Sequence, residues 1–185
     1  MKNPFLKGEI IYLSPLTKED ISADYINWLN DSEVCRDNSH ATFPNTYSKT
    51  LSYLESVEGS KNEIVFAIRW IKNDIHIGNI SVQNINWISR SAEIAIIIGN
   101  KKYWNKGVGS EAYRLVIEYS FQTLNLNRLS SGQTVSNRGM INVCEKSGMK
   151  KEGTQREALY KNGKYIDAVV YSILSKDFRK KANTK

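Results

Sequence analysis

The sequence contains 185 residues, 41% of them hydrophobic and 24% charged, with a formal net charge of +7. This length and composition predict a single globular domain that is large enough to bury a proper core. No apolar stretch approaches the roughly 20 residues of a membrane-spanning helix, and residues 1–6 lack the apolar run of a signal peptide. Cys35 and Cys144 lie far apart without CxxC spacing, so we expect free thiols in a cytoplasmic protein with no membrane partner.

The positive charge is concentrated at the C-terminal end. Residues 176–185 contain five basic residues and one acidic residue, which predicts a solvated basic tail after a domain over residues 1–175. Nucleic-acid binding by this tail is a weaker alternative, because the sequence has neither aromatic–basic interleaving nor a helix-turn-helix or zinc pattern. The basic body suits an anionic ligand, and the dispersed histidines and cysteines lack the spacing of a metal site.

Periodicity and turn signals predict the elements of the first half of the chain. They are a strand over 9–13, a helix capped by Thr17, a helix over 48–57, and strands over 64–70 and 75–83. Residues 31–44 are polar and irregular, and residues 72–74 form a turn.

A buried strand over 91–98 leads directly into a glycine-containing loop and then into a helix. Alternation places Glu93, Ala95 and Ile97 on one face of this strand and the even-numbered isoleucines on the other. The loop over 103–111 reads Tyr-Trp-Asn-Lys-Gly-Val-Gly-Ser-Glu, and apolar residues at helical spacing follow it. Small residues before a helix N-terminus allow backbone N–H groups to contact an anion, so the pattern predicts a site for a phosphorylated ligand.

The last part of the chain predicts another strand, a short helix and a hairpin. The strand covers 128–135, the helix covers 138–147, and the hairpin strands cover 155–160 and 164–174. Asn137 is placed to cap the helix, Gly148 to end it, and Asn162-Gly163 to form the tight turn. The complete order predicts a mixed α/β sheet with helices on both faces.

This order of elements, with its glycine loop, resembles the GNAT superfamily of acyl-CoA-dependent N-acetyltransferases over residues 9–174. The motifs that match are Ala92-Glu93-Ile94, the run 103–112, the segment 137–149, Lys151-Glu152-Gly153 and the run 162–167. They are most similar to the branch of ribosomal-protein-alanine, spermidine and amino-sugar acetyltransferases. The resemblance implies a GNAT-like α/β (α+β) fold with a mainly antiparallel sheet of about seven strands. It also implies an acyltransferase that uses acetyl-CoA (coenzyme A) as co-substrate and no metal.

The resemblance further implies which residues hold coenzyme A. Loop residues bind its pyrophosphate through an anion nest at the helix N-terminus. By position these are the amides of Asn105, Lys106, Gly107, Val108, Gly109 and Ser110, and Trp104 is a further cofactor-site residue that is common in this branch. Strand amides near Ile97 and Ile98 pair with the pantetheine arm and polarise the thioester carbonyl. Asn137 matches a residue whose side chain reaches pantetheine, although a plain helix cap explains the same asparagine.

Two residues are candidates for the chemistry. Glu93 is the candidate general base, acting through water, because apolar neighbours on the central strand would desolvate its carboxylate. A structural carboxylate bonded to a neighbouring strand is the alternative. Cys144 stands where many GNAT enzymes have a tyrosine that protonates the leaving thiolate, so it is a candidate weak acid. A small packing residue is the leading interpretation of Cys144, and the change leaves a non-catalytic coenzyme A-binding module as an alternative function.

The acceptor pocket is expected on the irregular segment, with Arg36 and His40, and on the closing hairpin, with Tyr165. A surface histidine and cross-strand aromatic packing are the alternatives for His40 and Tyr165. We expect direct attack on the thioester by the primary amine of a small molecule, first an amino-sugar or nucleotide-sugar. A protein N-terminus and a polyamine are the alternatives. Homodimers are common in this branch, often through the terminal strands.

Overall fold

The computed structural model describes the chain over residues 3–182 and its side chains through Phe178. Within these residues the strands are β1 (Leu6–Lys7), β2 (Ile11–Pro15), β3 (Ile64–Trp70), β4 (His76–Asn86), β5 (Ser91–Ile98), β6 (Arg128–Thr134), β7 (Lys150–Lys161) and β8 (Lys164–Leu174). The helices are α1 (Ala23–Asn30), α2 (Tyr47–Glu58), α3 (Val108–Gln122), α4 (Arg138–Ser147) and α5 (Ser175–Ala182).

One sheet contains all of these strands, in the order β1-β2-β3-β4-β5-β6-β8-β7. Among the described residues β5 and β6 form the parallel pair, and every other pair is antiparallel. This arrangement confirms the mixed, mainly antiparallel sheet expected from the sequence. The strand that the sequence pattern did not predict is β1, whose two residues pair with Leu13 and Tyr12 of β2.

The sheet buries an apolar core on each face. Successive side chains of β5 point to opposite faces of the sheet and so enter different cores. Ile94 packs in the larger core with α3 and α4, and Ile97 packs in the smaller core with α1 and α2. Full burial of an aliphatic side chain stabilises the fold by about 1.5–3 kcal/mol. Both faces therefore hold β5 in place, which makes it a rigid support for a site at its end.

The start of α1 differs from the prediction. Thr17 does donate its amide to the Asp20 carboxylate, at 3.0 Å, but this cap closes only a 3-10 turn over Lys18–Asp20. The α-helix begins after Ser22, whose hydroxyl accepts a hydrogen bond from the Tyr25 amide at 3.2 Å.

The C-terminal end contains a helix that the sequence pattern did not predict. Helix α5 covers Ser175–Ala182, and the Phe178 ring packs against Phe121 with 5.6 Å between ring centroids. Residues 183–185 of the predicted tail lie outside the described residues. None of the described helices combines the length and the apolar character needed to cross a membrane.

Candidate active site

Strands β5 and β6 separate from each other partway along their length. They pair only where Ser91, Ala92 and Glu93 face Arg128, Leu129 and Ser130. Beyond these pairs β5 continues to Ile98 beside β4, and β6 continues to Thr134 beside β8. The sheet therefore opens between the C-terminal ends of β5 and β6, and this gap is called the β5–β6 opening below.

Three side-chain hydrogen bonds show which residues of β5 turn their main chain toward β6. The donors are Ser130 to the Ala92 carbonyl at 3.3 Å, Tyr113 to the Ile94 carbonyl at 3.4 Å, and the Trp104 indole to the Ile98 carbonyl at 2.7 Å. All three carbonyls belong to even-numbered residues. Because main-chain direction alternates along a strand, Ile96 shares their orientation. The amides directed into the β5–β6 opening are therefore those of Ile96 and Ile98.

Ile97 has the opposite orientation. It is paired with Asn79 of β4. A Cβ atom added to Gly78 would lie only 2.2 Å from the Ile97 carbonyl oxygen, so this carbonyl is on the β4 side. Of the two residues expected to offer amides to pantetheine, Ile98 has its main chain directed toward the β5–β6 opening and Ile97 has its main chain directed toward β4. Ile96, which the sequence reasoning did not name, shares the orientation of Ile98.

The loop after β5 places free backbone donors at the start of α3. Asn105 and Gly107 adopt left-handed conformations, with φ of 59° and 83°. Gly107 is the N-cap residue and provides no side-chain hydrogen bond to the helix. The Glu111 amide donates to the Gly107 carbonyl at 3.0 Å and so begins the helical hydrogen-bond pattern. The preceding amides of the first turn point along the helix axis, where an anion can accept from them.

Glu111 holds the start of α3 against the chain that leads into β2. Its carboxylate accepts hydrogen bonds from the amides of Glu9, Ile10 and Ile11, at 3.0 and 3.1 Å for the last two. Such bonds to a charged acceptor are stronger than neutral ones. The loop before α3 is therefore anchored to the sheet from behind.

Helix α4 packs on the larger-core side of the β5–β6 opening. Asn137 caps it, accepting a hydrogen bond from the Met140 amide at 3.1 Å, and this bond uses only the Oδ1 atom. Cys144 is fully buried in the larger core, and its thiol donates to Gln133 Oε1 at 3.7 Å. Burial raises the pKa of the Cys144 thiol to about 11, which keeps the thiol protonated at physiological pH.

The irregular segment 31–38 touches both sides of the β5–β6 opening. Lys101, which follows β5, forms ion pairs with Asp31 and Glu33 at 2.8 and 2.7 Å. Thr134, at the end of β6, donates its hydroxyl to Asp37 at 2.6 Å. Sequence reasoning missed Lys101 and Thr134, because neither pairing follows from a local pattern. Segment 31–38 is thus placed to contact a molecule that enters the opening.

Arg36 and His40 lie in and just after this segment, as expected. Arg36 is exposed and forms an ion pair with Asp37 at 3.4 Å. His40 lies in a 3-10 turn over His40–Thr42. Desolvation, followed by the positive charges of Lys161 and Lys49, lowers the pKa of His40, so its ring is neutral at pH 7 and can accept a proton.

Tyr165 lies near the hairpin turn and is 67% exposed. It pairs with Tyr160 across the hairpin, with 5.0 Å between the ring centroids. This is the cross-strand packing offered as the alternative to a binding role. The hairpin reaches the acceptor side through Lys161, whose ammonium group donates to the Asn38 carbonyl.

Glu93 is the last residue of β5 that pairs with β6, so it lies where the β5–β6 opening begins. Its expected desolvation is wrong, because the side chain is exposed. Its neighbours Ala92 and Ile94 are buried, but they point to the opposite face of the sheet. The carboxylate accepts a hydrogen bond from the Asn84 side chain of β4 at 3.0 Å. Across the described residues no three His, Cys, Asp or Glu side chains converge on a metal site.

These features define a site for a long ligand with phosphate at one end and an arm that pairs with strand amides. The site thus fits an acyl-CoA and indicates an acyl-CoA-dependent transferase.

Comparison with known proteins gives the same class. The family model of the GNAT acetyltransferase domain matches residues 11–150. YjcK of Bacillus subtilis, which carries a provisional name as an N-acetyltransferase, is 31% identical and covers 93% of this chain and 98% of its own. YdaF of the same organism, provisionally named a ribosomal N-acetyltransferase, is 38% identical over 55% of each chain. The spermidine N-acetyltransferase of Vibrio cholerae, solved with CoA and spermine, has a TM-score of 0.85 at 23% identity and covers 93% of this chain and 99% of its own.

The chain belongs to the GNAT acetyltransferase family. It is therefore an N-acetyltransferase, and acetyl-CoA is its co-substrate.

Proposed function

We propose that this enzyme transfers the acetyl group directly to a primary amine that enters the β5–β6 opening beside segment 31–38. The observation that carries the proposal is the attachment of this segment to both sides of the opening, through Lys101 and Thr134. An acceptor held by the segment would lie next to the strand amides. Positioning of this kind supplies much of the rate enhancement in group transfer.

Different residues around the opening bind different parts of the co-substrate. The amides of residues 105–110 and the start of α3 hold the pyrophosphate. Trp104 fixes the end of β5 through its bond to the Ile98 carbonyl. The amides of Ile96 and Ile98, with the side chain of Asn137, contact the pantetheine arm. When bound, acetyl-CoA supplies an activated thioester, and a strand amide polarises its carbonyl.

The acceptor amine must lose a proton before it can attack. Glu93 removes it through water, because its exposed carboxylate lies where β5 and β6 separate. His40 is the second candidate base, since its lowered pKa keeps the ring neutral next to segment 31–38.

The charges around segment 31–38 favour an acceptor that carries no further positive charge. Lys101 balances one of the two negative charges of Asp31 and Glu33, and Arg36 pairs with Asp37. Lys161 and Lys49 create a positive potential at His40 that also disfavours a polycation. We therefore rank a peptide α-amine and a neutral or anionic small-molecule amine above a polyamine. Of the proteins named above, YdaF is provisionally named a ribosomal enzyme and the Vibrio cholerae protein is a spermidine enzyme, so an amino-sugar acceptor is supported by charge alone.

The test is turnover of acetyl-CoA with a panel of amines. The panel contains peptides that begin with Ala or Ser, a UDP-amino-sugar and spermidine, and mass spectrometry identifies the acetylated acceptor. We expect faster turnover with a peptide or the amino-sugar than with spermidine. Turnover restricted to spermidine would overturn the ranking of acceptors. Acetylation of a protein side chain without any transfer to an amine would contradict direct attack.

A further inference from the structure

A chain of buried polar groups crosses the larger core beside the β5–β6 opening. It begins with Tyr113 of α3, whose hydroxyl lies 3.4 Å from the Ile94 carbonyl and 2.9 Å from the Ser131 hydroxyl. Ser131 lies 3.3 Å from Gln133 Oε1, and the Cys144 thiol lies 3.7 Å from the same oxygen. The chain therefore runs from the point where the strands separate, along β6, to α4.

Gln133 is the member of this chain whose hydrogen bonding is incomplete. Its side chain belongs to a residue that is 5% exposed, and Nε2 has no partner among the described residues. An unsatisfied buried amide costs about 1–3 kcal/mol, and native structures contain few of them. Because Oε1 accepts from both Ser131 and Cys144, the atom without a partner is the donor Nε2, whereas the exchanged orientation would leave the oxygen without one. Among the described residues the fold therefore keeps a buried polar group without a hydrogen-bond partner at this position.

The unpartnered group lies on β6, beyond the last pair that β6 forms with β5. Gln133 is three residues beyond Ser130, the last residue of β6 that pairs with β5. Its contact with Cys144 places it on the same face of the sheet as α3 and α4. Cys144 is fully buried, and its thiol proton is directed to Gln133. The carboxamide, and not the thiol, therefore has donors free for a ligand.

We propose that Gln133 donates a hydrogen bond from Nε2 to the sulfur of the pantetheine arm. Ser131 and Cys144 act as positioning residues, since both hold the Oε1 atom. A carboxamide does not ionise, so Gln133 stabilises negative charge on the sulfur without transferring a proton. This inference rests on the proposed function, because it needs the pantetheine arm in the β5–β6 opening.

The test compares wild type with Gln133→Leu, using two probes, CoA and desulfo-CoA, which lacks the sulfur. Calorimetric titration should show CoA binding weakened about threefold to tenfold, the range of one hydrogen bond, and desulfo-CoA binding unchanged. The ultraviolet absorbance of the thiolate should show a higher pKa for the bound CoA thiol in the variant. The melting temperature of the free variant should not fall, because the change removes an unmet polar group.

Ser120→Ala is the matched control. Ser120 of α3 carries the other buried side-chain atom without a partner among the described residues, and it lies two turns beyond Tyr113. Its loss should leave the affinity for both probes unchanged. Gln133→Met, which keeps the length but has no donor, replaces the leucine variant if that variant fails to fold.

Equal affinity of wild type and Gln133→Leu for CoA would overturn the inference. Equal loss of affinity for CoA and desulfo-CoA would also overturn it, because it would indicate a packing role. If wild type bound neither CoA nor acetyl-CoA, the proposed function itself would fail, and this inference with it.

Discussion

The hydroxyl of Thr134 lies 2.6 Å from a carboxylate oxygen of Asp37, which precedes it by 97 residues. Thr134 is 1% exposed, and the Asp37 side chain is 17% exposed. A hydrogen bond to a charged group with little access to water contributes about 1.5–3 kcal/mol. This contact therefore fixes segment 31–38 over the end of β6.

Replacement of Thr134 should weaken binding of the acceptor and leave binding of the co-substrate unchanged. In Thr134→Val the hydroxyl is lost at nearly constant volume, so we expect the KM for the acceptor to rise about tenfold. The Kd for acetyl-CoA should stay within about twofold of wild type. Thr134→Ser keeps the hydroxyl and serves as the control. A rise in both constants, or in neither, would contradict the role assigned to this contact.

Loss of the Glu111 carboxylate should destabilise the fold and loosen the loop before α3. Glu111→Ala removes the acceptor for three backbone amides, so we expect the free energy of unfolding to fall by about 2–4 kcal/mol in urea titrations. Glu118→Ala removes a more exposed glutamate of the same helix, whose ion pair with Arg114 is 3.9 Å long. That control should change stability by less than about 0.5 kcal/mol. Similar losses in the two variants would refute the anchoring role.

Glu93→Gln tests the general base. It keeps the size of the side chain but cannot accept a proton, so kcat should fall about 10²–10⁴-fold while the Kd for acetyl-CoA stays constant. Asn84→Ala removes the hydrogen-bond partner of Glu93 and should reduce kcat much less. If Glu93→Gln retained nearly full activity, Glu93 would be a structural carboxylate, and His40→Gln would become the variant to examine.

Stability at alkaline pH should depend on Cys144. The pKa of its thiol is raised from 9.0 to about 11 by burial. As pH rises through this interval the unfolded chain loses the thiol proton while the folded chain keeps it, so the free energy of unfolding decreases. Cys144→Ala removes this contribution. The variant should therefore lose less stability than wild type between about pH 9 and pH 11. Parallel curves for the two proteins would show that Cys144 does not titrate in this way.

Regular elements with strong local signals were predicted well from the sequence. The structure confirms strands over Ile64–Trp70 and Ser91–Ile98 at the predicted limits. It also confirms the limits of α4, because Asn137 accepts a hydrogen bond from its first turn and Gly148 adopts a left-handed conformation with φ of 87°. These signals act over a few residues and need no tertiary contact.

Features that depend on distant contacts were not predicted. The exposure of Glu93 depends on where the smaller core ends, and the sequence around it gives no sign of that boundary. The bonds of Lys101 to Asp31 and Glu33 join residues about 70 positions apart, so no spacing rule reveals them. The inward-facing polar residues Ser131 and Gln133 lie on either side of the exposed Gly132, and this spacing was a signal that could have been used.

The most direct test of the account is amide hydrogen exchange at β5, measured by NMR with and without CoA. Among the described residues the β5–β6 opening leaves the amides of Ile96 and Ile98 without a partner on β6, whereas the Ile97 amide is directed toward β4 and is an internal control. We predict that exchange at Ile96 and Ile98 is fast in the free protein and slows on saturation with CoA, while Ile97 is slow in both states. Unchanged exchange at Ile96 and Ile98 in the saturated protein would contradict binding of the pantetheine arm in this opening.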